Sequence, residues 1–184
     1  MRIIAGTYSS RRLETLPGTK TRPTLDKVKE AVFSSLGGTF TSGKVLDLYA
    51  GSGAIALEAI SRGFDSAVLV DVNKQACGII RKNIELLGVK DQCEVYPMKD
   101  TQALNKFVEK GYKFDLIYID PPYALQHNFK ILEFIDEHEL LAPNGKVVIE
   151  SLKEEIYKAE YDHLVYKKEA VYGIMKITYY YSYQ

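Results

Sequence analysis

Apolar and polar residues follow two different periods along this chain, and the points where one gives way to the other mark its elements. From residue 44 onward, short apolar runs bounded by turn residues alternate with segments whose apolar positions fall three and four apart. Lys44–Tyr49, Ala67–Val70, Cys93–Tyr96, Phe114–Ile119 and Lys146–Glu150 are predicted as strands. Ala54–Arg62, Lys74–Leu87, Gln102–Glu109 and Asn128–Glu137 are predicted as helices, the first two stopped by Gly63 and Gly88. Such alternation implies right-handed βαβ units, a mostly parallel sheet and helices on both faces, an α/β class. Near the C-terminus the pattern changes. Leu164–Ala170 and Ile174–Tyr181 are β-rich and joined by Val171-Tyr172-Gly173, which predicts an antiparallel pair closing one edge of a seven-stranded sheet. The tyrosines at 179–181 and 183 read as strand packing rather than an RNA-stacking surface.

Before residue 44 the signals are weaker. Arg2–Ala5 suggests a short strand and Arg12–Leu16 a hairpin partner, followed by a Leu16-Pro17-Gly18-Thr19 loop and an exposed arm. Thr24 is placed to cap a helix running through Leu36. Leu25, Val28, Val32 and Leu36 share one face of that helix and read as packing, and Gly37-Gly38 stops it. The length predicts one domain, with residues 1–40 as a short N-terminal basic extension and helix, and 41–184 as the core.

Composition removes several classes. No apolar run approaches the roughly 18 residues needed to cross a bilayer, and the N-terminus has no signal-peptide core. Cys77 and Cys93 lack CxxC spacing, so neither a disulfide framework nor a zinc site is expected, and the setting expected is the cytoplasm. A monomer is the default. Net charge is zero, so no global field attracts polyanions. Residues 1–30 nevertheless hold seven Lys and Arg against three acids, which makes a regional contact with nucleic acid the one charge-based option. Arg2, Arg11, Arg12 and Arg22 are the candidates for phosphate contacts, which position a substrate without specifying it.

Two stretches carry chemistry. Asp120-Pro121-Pro122-Tyr123 follows the apolar strand Phe114–Ile119, and two prolines with fixed φ and no N–H can neither extend a ladder nor start a helix. The result is a rigid corner presenting a carboxylate, free carbonyls and a ring beyond a strand's carboxyl end, where ligands of open α/β sheets bind. Upstream, Asp47-Leu48-Tyr49-Ala50-Gly51-Ser52-Gly53 runs from strand through a glycine-rich turn into a helix, and Asp71 ends the next strand. Glycines let a ligand approach the backbone, the helix start offers N–H groups, and Asp71 is placed to accept ribose hydroxyls. Gly51–Ala56 also satisfies a dinucleotide fingerprint. Asp47 within the strand favours a cofactor carrying an ammonium and a sulfonium over a pyrophosphate. Asp100 lies beyond the third strand, within reach of an adenine amine. S-adenosylmethionine supplies all these partners. No metal is called for. His127, His138 and His163 are scattered; His127 alone follows the corner closely enough to line its pocket.

In type and order these motifs resemble the class I S-adenosylmethionine-dependent methyltransferases, whose [DNS]-P-P-[YFW] members the resemblance links to methylation of exocyclic or amide nitrogens. A narrower likeness rests on Arg2-Ile3-Ile4-Ala5-Gly6, Arg22-Pro23-Thr24, Leu48–Gly53, Glu58-Ala59 and Ser61-Arg62-Gly63. These resemble the RsmD family. The likeness implies methylation of the N2 amine of one guanine in 16S ribosomal RNA, with Tyr49, Ala50, Gly51 and Gly53 among the cofactor contacts and the ribosomal RNA or small subunit as partner. Asp120 and the Pro121 carbonyl would then accept the amine hydrogens, Pro122 would keep the corner rigid and Tyr123 would stack on the base. Three other readings stay open: a DNA adenine-N6 or protein glutamine methyltransferase, an NAD-dependent oxidoreductase, and a non-catalytic RNA-binding factor. DNA enzymes of this kind generally carry an added recognition domain, for which 184 residues leave no room.

Overall fold

A computed structural model describes residues 1–18, 23–122 and 127–182, with the backbone alone for residues 23 and 24. Its strands are β1 (Lys44–Asp47), β2 (Ser66–Val70), β3 (Cys93–Tyr96), β4 (Phe114–Ile119), β5 (Leu141–Leu152), β6 (Leu164–Tyr172) and β7 (Met175–Ser182). Its α-helices are α1 (Pro23–Ser35), α2 (Ala54–Ser61), α3 (Lys74–Leu87), α4 (Asp100–Glu109) and α5 (Asn128–Glu137). The strands form one sheet in the order β3-β2-β1-β4-β5-β7-β6. All neighbours pair parallel except β7, which is antiparallel to both β5 and β6. The order reverses between β1 and β4, and that switch point is where such sheets open a crevice.

Both faces of the sheet are covered, which explains why the strand segments read as continuous apolar runs. Val45, Leu116, Tyr118 and Val148 face one layer, built from Val32 and Phe33 of α1, Leu57 of α2 and Ile80 of α3. Leu46, Ile117, Ile119 and Ile149 face the other, built from Leu104 and Phe107 of α4 and Leu132 and Ile135 of α5. Each such side chain contributes about 1.5–3 kcal/mol by leaving water. Tyr179 and Tyr180 lie in these two layers, as strand packing requires.

Several boundaries differ from the sequence expectation. β1 stops at Asp47 because Leu48–Ala50 already turn toward the glycine loop, with the Ala50 N–H donating to the Val70 carbonyl. α4 opens at Asp100, two residues early, where an acid suits a helix N-terminus. β5 begins at Leu141, so Pro143-Asn144-Gly145 lies inside the strand. There the pairing with β4 shifts register between Phe114 and Leu116 and Asn144 takes φ 65°, which is a bulge rather than a terminating turn.

The N-terminal segment is also a correction. Arg2 and Arg12 form a single antiparallel bridge rather than paired strands, Ile3 and Leu13 are buried in the core, and the exposed arm expected beyond the 16–19 loop lies outside the described residues. The Ile4 and Ala5 N–H groups donate to the Glu58 carboxylate at 2.9 and 3.1 Å. Glu58, fully buried on α2, also pairs with Lys29 at 3.3 Å and Arg62 at 2.7 Å. The Asn83 side chain on α3 accepts from the Glu14 N–H and donates to the carbonyls of Glu14 and Ser52. It thereby ties the segment to the glycine loop. Gly6 is required where the segment crosses the end of α2, since a Cβ there would lie 2.0 Å from the Ser61 carbonyl oxygen.

Candidate active site

Three carboxylates gather over the carboxyl ends of β1, β4 and β5. Asp47 ends β1, Asp120 follows β4 and Glu150 lies on β5, next to Asp120 because Ile119 pairs with Ile149. All three line a cleft of about 320 Å³, together with Ala50, Gly51 and Ile55 from the glycine loop and α2. Leu25 and Val28 of α1 and Thr15 and Leu16 form its opposite wall. Half of the α1 stripe is therefore site wall rather than packing alone: Val32 and Leu36 are buried, whereas Leu25 is 38% exposed. A second cleft of about 400 Å³ is lined by Tyr49, Gly51, Asp71, Asp120, Pro121 and Pro122. Tyr49, Gly51 and Asp120 border both.

The acids differ in their surroundings. Asp47 is 2% exposed and accepts the Ala56 N–H at 3.3 Å. Burial raises its carboxyl to about 7, with the charges of Asp71 and Glu150 adding to the rise. Asp120 is exposed to the open clefts on one side and packed against Glu150 and the β4 end on the other. That desolvation, together with Glu150 and Asp47, pushes it well above the usual carboxylate range. Glu150 is raised by burial as well, opposed by hydrogen bonds from Tyr118, whose hydroxyl donates to Oε2 at 2.6 Å, and with Asp120. Lys29 lines the same cleft, but its ammonium is held by Glu58 and by the Arg2 carbonyl at 2.6 Å. The site is therefore acidic, its carboxyls held toward the neutral form until a ligand bringing positive charge or hydrogen-bond donors favours their ionised form.

Asp71 directly follows β2 and braces the glycine loop. Its Oδ2 accepts the Gly51 N–H at 2.9 Å and its Oδ1 the Asn73 N–H at 2.9 Å, each oxygen keeping a lone pair free. Gly51 has φ 60°, and a Cβ built there meets nothing within 4 Å, so the loop leaves open space beside Asp71. Gly53, with φ 85°, is the N-cap of α2. Asp100 Oδ2 accepts the Tyr49 hydroxyl at 2.6 Å and contacts His127 Nε2 at 2.9 Å, while Oδ1 accepts the Thr101 N–H. Burial would raise Asp100, but the donation from Tyr49 and His127 outweighs it and holds the carboxyl below the ordinary range.

Asp47, Tyr49, Ala50, Gly51, Gly53, Asp71, Asp100, Asp120, Pro121 and Pro122 thus converge on one end of the sheet. Tyr123 and Arg22 lie outside the described residues. Arg2 and Arg12 are exposed, with Arg2 3.9 Å from Asp26; Arg11 donates to the Leu86 carbonyl at the end of α3. Glu150 and Tyr118 were not singled out from the sequence, and Leu25 and Val28 were read there as packing alone. Glu150 had a signal, since it closes a strand parallel to the one ending at Asp120. The wall of α1 had none, because an apolar stripe looks alike whether it faces a core or a cleft.

Asp47 has a consequence for stability. In an unfolded chain its carboxyl ionises near 3.8, against about 7 in the fold, so between these values the folded state keeps a proton that the unfolded state has lost. Its contribution therefore falls as pH rises through that window and is least above it. Asp47→Asn is expected to raise the melting temperature of the ligand-free protein at pH 7.5 and to flatten its decline between pH 5 and 7.5. Thermal unfolding at both pH values checks this; an unchanged slope refutes it.

A sheet ordered 3-2-1-4-5-7-6 with a glycine loop after β1, an acid after β2 and an Asp-Pro-Pro corner after β4 is the class I methyltransferase fold. Residues 1–181 match the family model described as Conserved hypothetical protein 95. The chain is 36% identical to YlbH of Bacillus subtilis over 180 residues, 98% of each protein. It is 30% identical to the ribosomal RNA small subunit methyltransferase D of Haemophilus influenzae, over 84% of this chain and 80% of that one. YhhF of Escherichia coli superposes with a TM-score of 0.84 at 27% identity, over 99% of this chain and 97% of that one. The chain belongs to this family, the RsmD family.

Proposed function

We propose that the protein transfers the methyl group of S-adenosylmethionine to ribosomal RNA, and that the acceptor is the exocyclic N2 amine of a guanine in the 16S RNA of the small subunit. The observation that carries the reading is the acidic cleft in which Asp120, at a proline-locked corner, borders both the space beside Asp71 and the space beside Asp47. Family membership and the name of the Haemophilus relative supply the RNA.

The residues present fit the cofactor. Asp47 is a buried carboxylate aimed at the cleft and suits an ammonium. Asp71 keeps free lone pairs for ribose hydroxyls, Gly51 leaves room for the ligand, and Asp100 retains one lone pair on Oδ1 for an adenine amine. A pyrophosphate brings no cation to pair with Asp47, whereas an ammonium does, which favours S-adenosylmethionine over a nicotinamide dinucleotide. When bound, S-adenosylmethionine supplies a methyl group on a good leaving group. The protein then has to position the acceptor. An exocyclic amine has its lone pair delocalised into the ring, so Asp120 and the Pro121 carbonyl accept its hydrogens and turn the lone pair toward the methyl donor, which is a positioning effect. Asp120, raised by its neighbours, takes the proton that the methylated amine releases. Pro122 holds the corner, Tyr123 stacks on the base, and Arg2, Arg12 and Arg22 contact phosphate. A base entering this cleft must leave its stack, which costs least in an RNA loop.

The test is transfer of labelled methyl to small ribosomal subunits, naked 16S RNA and DNA, with nucleoside analysis of the product. N2-methylguanosine in RNA is the expected product; label entering DNA alone, or only protein, overturns the reading.

A further inference from the structure

Asp120 alone would suffice to hold an amine. Yet the cleft places a second carboxylate, Glu150, directly beside it. The strand order separates the two acids functionally. β1 and β2, with Asp47 and Asp71, lie on one side of β4, and β5 with Glu150 lies on the other. Glu150 is thus on the side of Asp120 away from the proposed cofactor, where the rest of an acceptor would extend. Its carboxylate is not free to swing, because the hydroxyl of Tyr118, itself 1% exposed, donates to Oε2 at 2.6 Å. The other groups facing the pair are Asp47 from β1, Lys29, Leu25 and Val28 from α1, and Met1.

We propose that Glu150 accepts the ring N1–H of the target guanine while Asp120 accepts the neighbouring N2–H, so that the pair selects guanine among purines. The inference rests on the guanine reading above and adds the residue that would enforce it. Asp120 and Glu150 lie side by side at the ends of paired strands, an arrangement in which two carboxyls favour holding one proton between them. Guanine offers two donors side by side on the nitrogens bonded to C2, N1–H and N2–H, which replace that single shared proton with one donor for each acid; the proton leaves to solvent on binding. Adenine presents a donor beside a bare ring nitrogen, and a carboxylate opposite that nitrogen meets lone pair against lone pair. The Tyr118 hydroxyl favours ionised Glu150 and hence the guanine pattern. A site built to hydrogen-bond a substrate N–H discriminates strongly against the analogue that lacks it, because its buried acceptor is left unpaired.

The experiment uses 16S RNA or reconstituted subunits carrying either guanine or 2-aminopurine at the position that accepts the methyl. 2-Aminopurine keeps the exocyclic amine but has no N1–H. The wild type is expected to favour guanine in kcat/KM by roughly 10- to 100-fold, the size of one good base contact. In Glu150→Gln the preference should collapse, because the Gln amide can donate to the bare N1 as readily as its oxygen accepts from N1–H. Tyr118→Phe should narrow it partly. Calorimetric binding of S-adenosylmethionine, unchanged in both variants, shows that the fold is intact. A guanine preference unaltered by Glu150→Gln overturns this inference alone. Methylation of adenine rather than guanine by the wild type overturns it together with the reading beneath it.

Discussion

Asp120→Ala is expected to reduce methyl transfer to small ribosomal subunits by on the order of a hundredfold or more, since it removes the group that orients the acceptor. S-adenosylmethionine should still bind, because Asp47 and Asp71 lie on other strands and keep their hydrogen bonds. Stability should not fall with activity. Asp120 is raised by burial and by the charges of Glu150 and Asp47, so its removal relieves an unfavourable arrangement. The expected signature is lost turnover with an unchanged or higher melting temperature. Labelled-methyl transfer, calorimetry and thermal unfolding on the same preparation read all three. Turnover near that of the wild type would remove Asp120 from the mechanism. A protein that loses cofactor binding together with turnover would show that the corner supports the cofactor rather than the acceptor.

The second large effect is structural. Glu58→Ala leaves Lys29 and Arg62 buried without their shared carboxylate and deprives the Ile4 and Ala5 N–H groups of their acceptor. Removing one partner from a buried ion pair costs about 3–5 kcal/mol. For a chain of this length that corresponds to a drop in melting temperature of roughly 6–20 °C. The loss should be local before it is global, with faster hydrogen exchange at residues 3–5 than in β4. Glu58→Gln, whose amide oxygen still accepts backbone N–H groups, should lose less. A melting curve identical to that of the wild type would mean that the N-terminal segment is held by Ile3 and Asn83 without this cluster. If the segment is released, the cleft loses the wall formed by Thr15 and Leu16, so transfer to RNA should weaken more than cofactor binding.

The fold was legible because its signals are local. β4 is a six-residue apolar run rich in aromatic and β-branched residues and stopped by two prolines, α3 has apolar positions at helical spacing with Gly88 at its end, and the β6–β7 pair announces itself by composition. The boundary errors have equally local causes. Pro143-Asn144-Gly145 carries the residues of a turn, yet parallel pairing with β4 on one side and antiparallel pairing with β7 on the other hold the chain extended through a bulge. Asp100 reads as a loop acid until Thr101, Tyr49 and His127 are seen around it.

Within the site, the residues legible in advance were those whose type is unusual in its setting: an acid inside an apolar strand, glycines between strand and helix, an Asp before two prolines. Those missed were ordinary where they stood. Glu150 ends a strand as many surface acids do, and Glu58 looks like a solvated helix residue until Lys29 and Arg62 are found against it.

The sequence by itself therefore determined the strand–helix alternation, the glycine loop, the rigid corner and the order of the acids along the chain, since each depends on residues a few positions apart. Only the tertiary structure decided which acids are neighbours, that the basic N-terminal segment is docked on α2 and α3, and that α1 walls the cleft. Those facts depend on residues far apart in sequence, such as Asn83 and Glu14, 69 positions apart, or Arg11 and Leu86, 75 apart. Burial and mutual charge, which raise Asp47 and Asp120 and join Asp120 to Glu150, exist only once the strand ends converge.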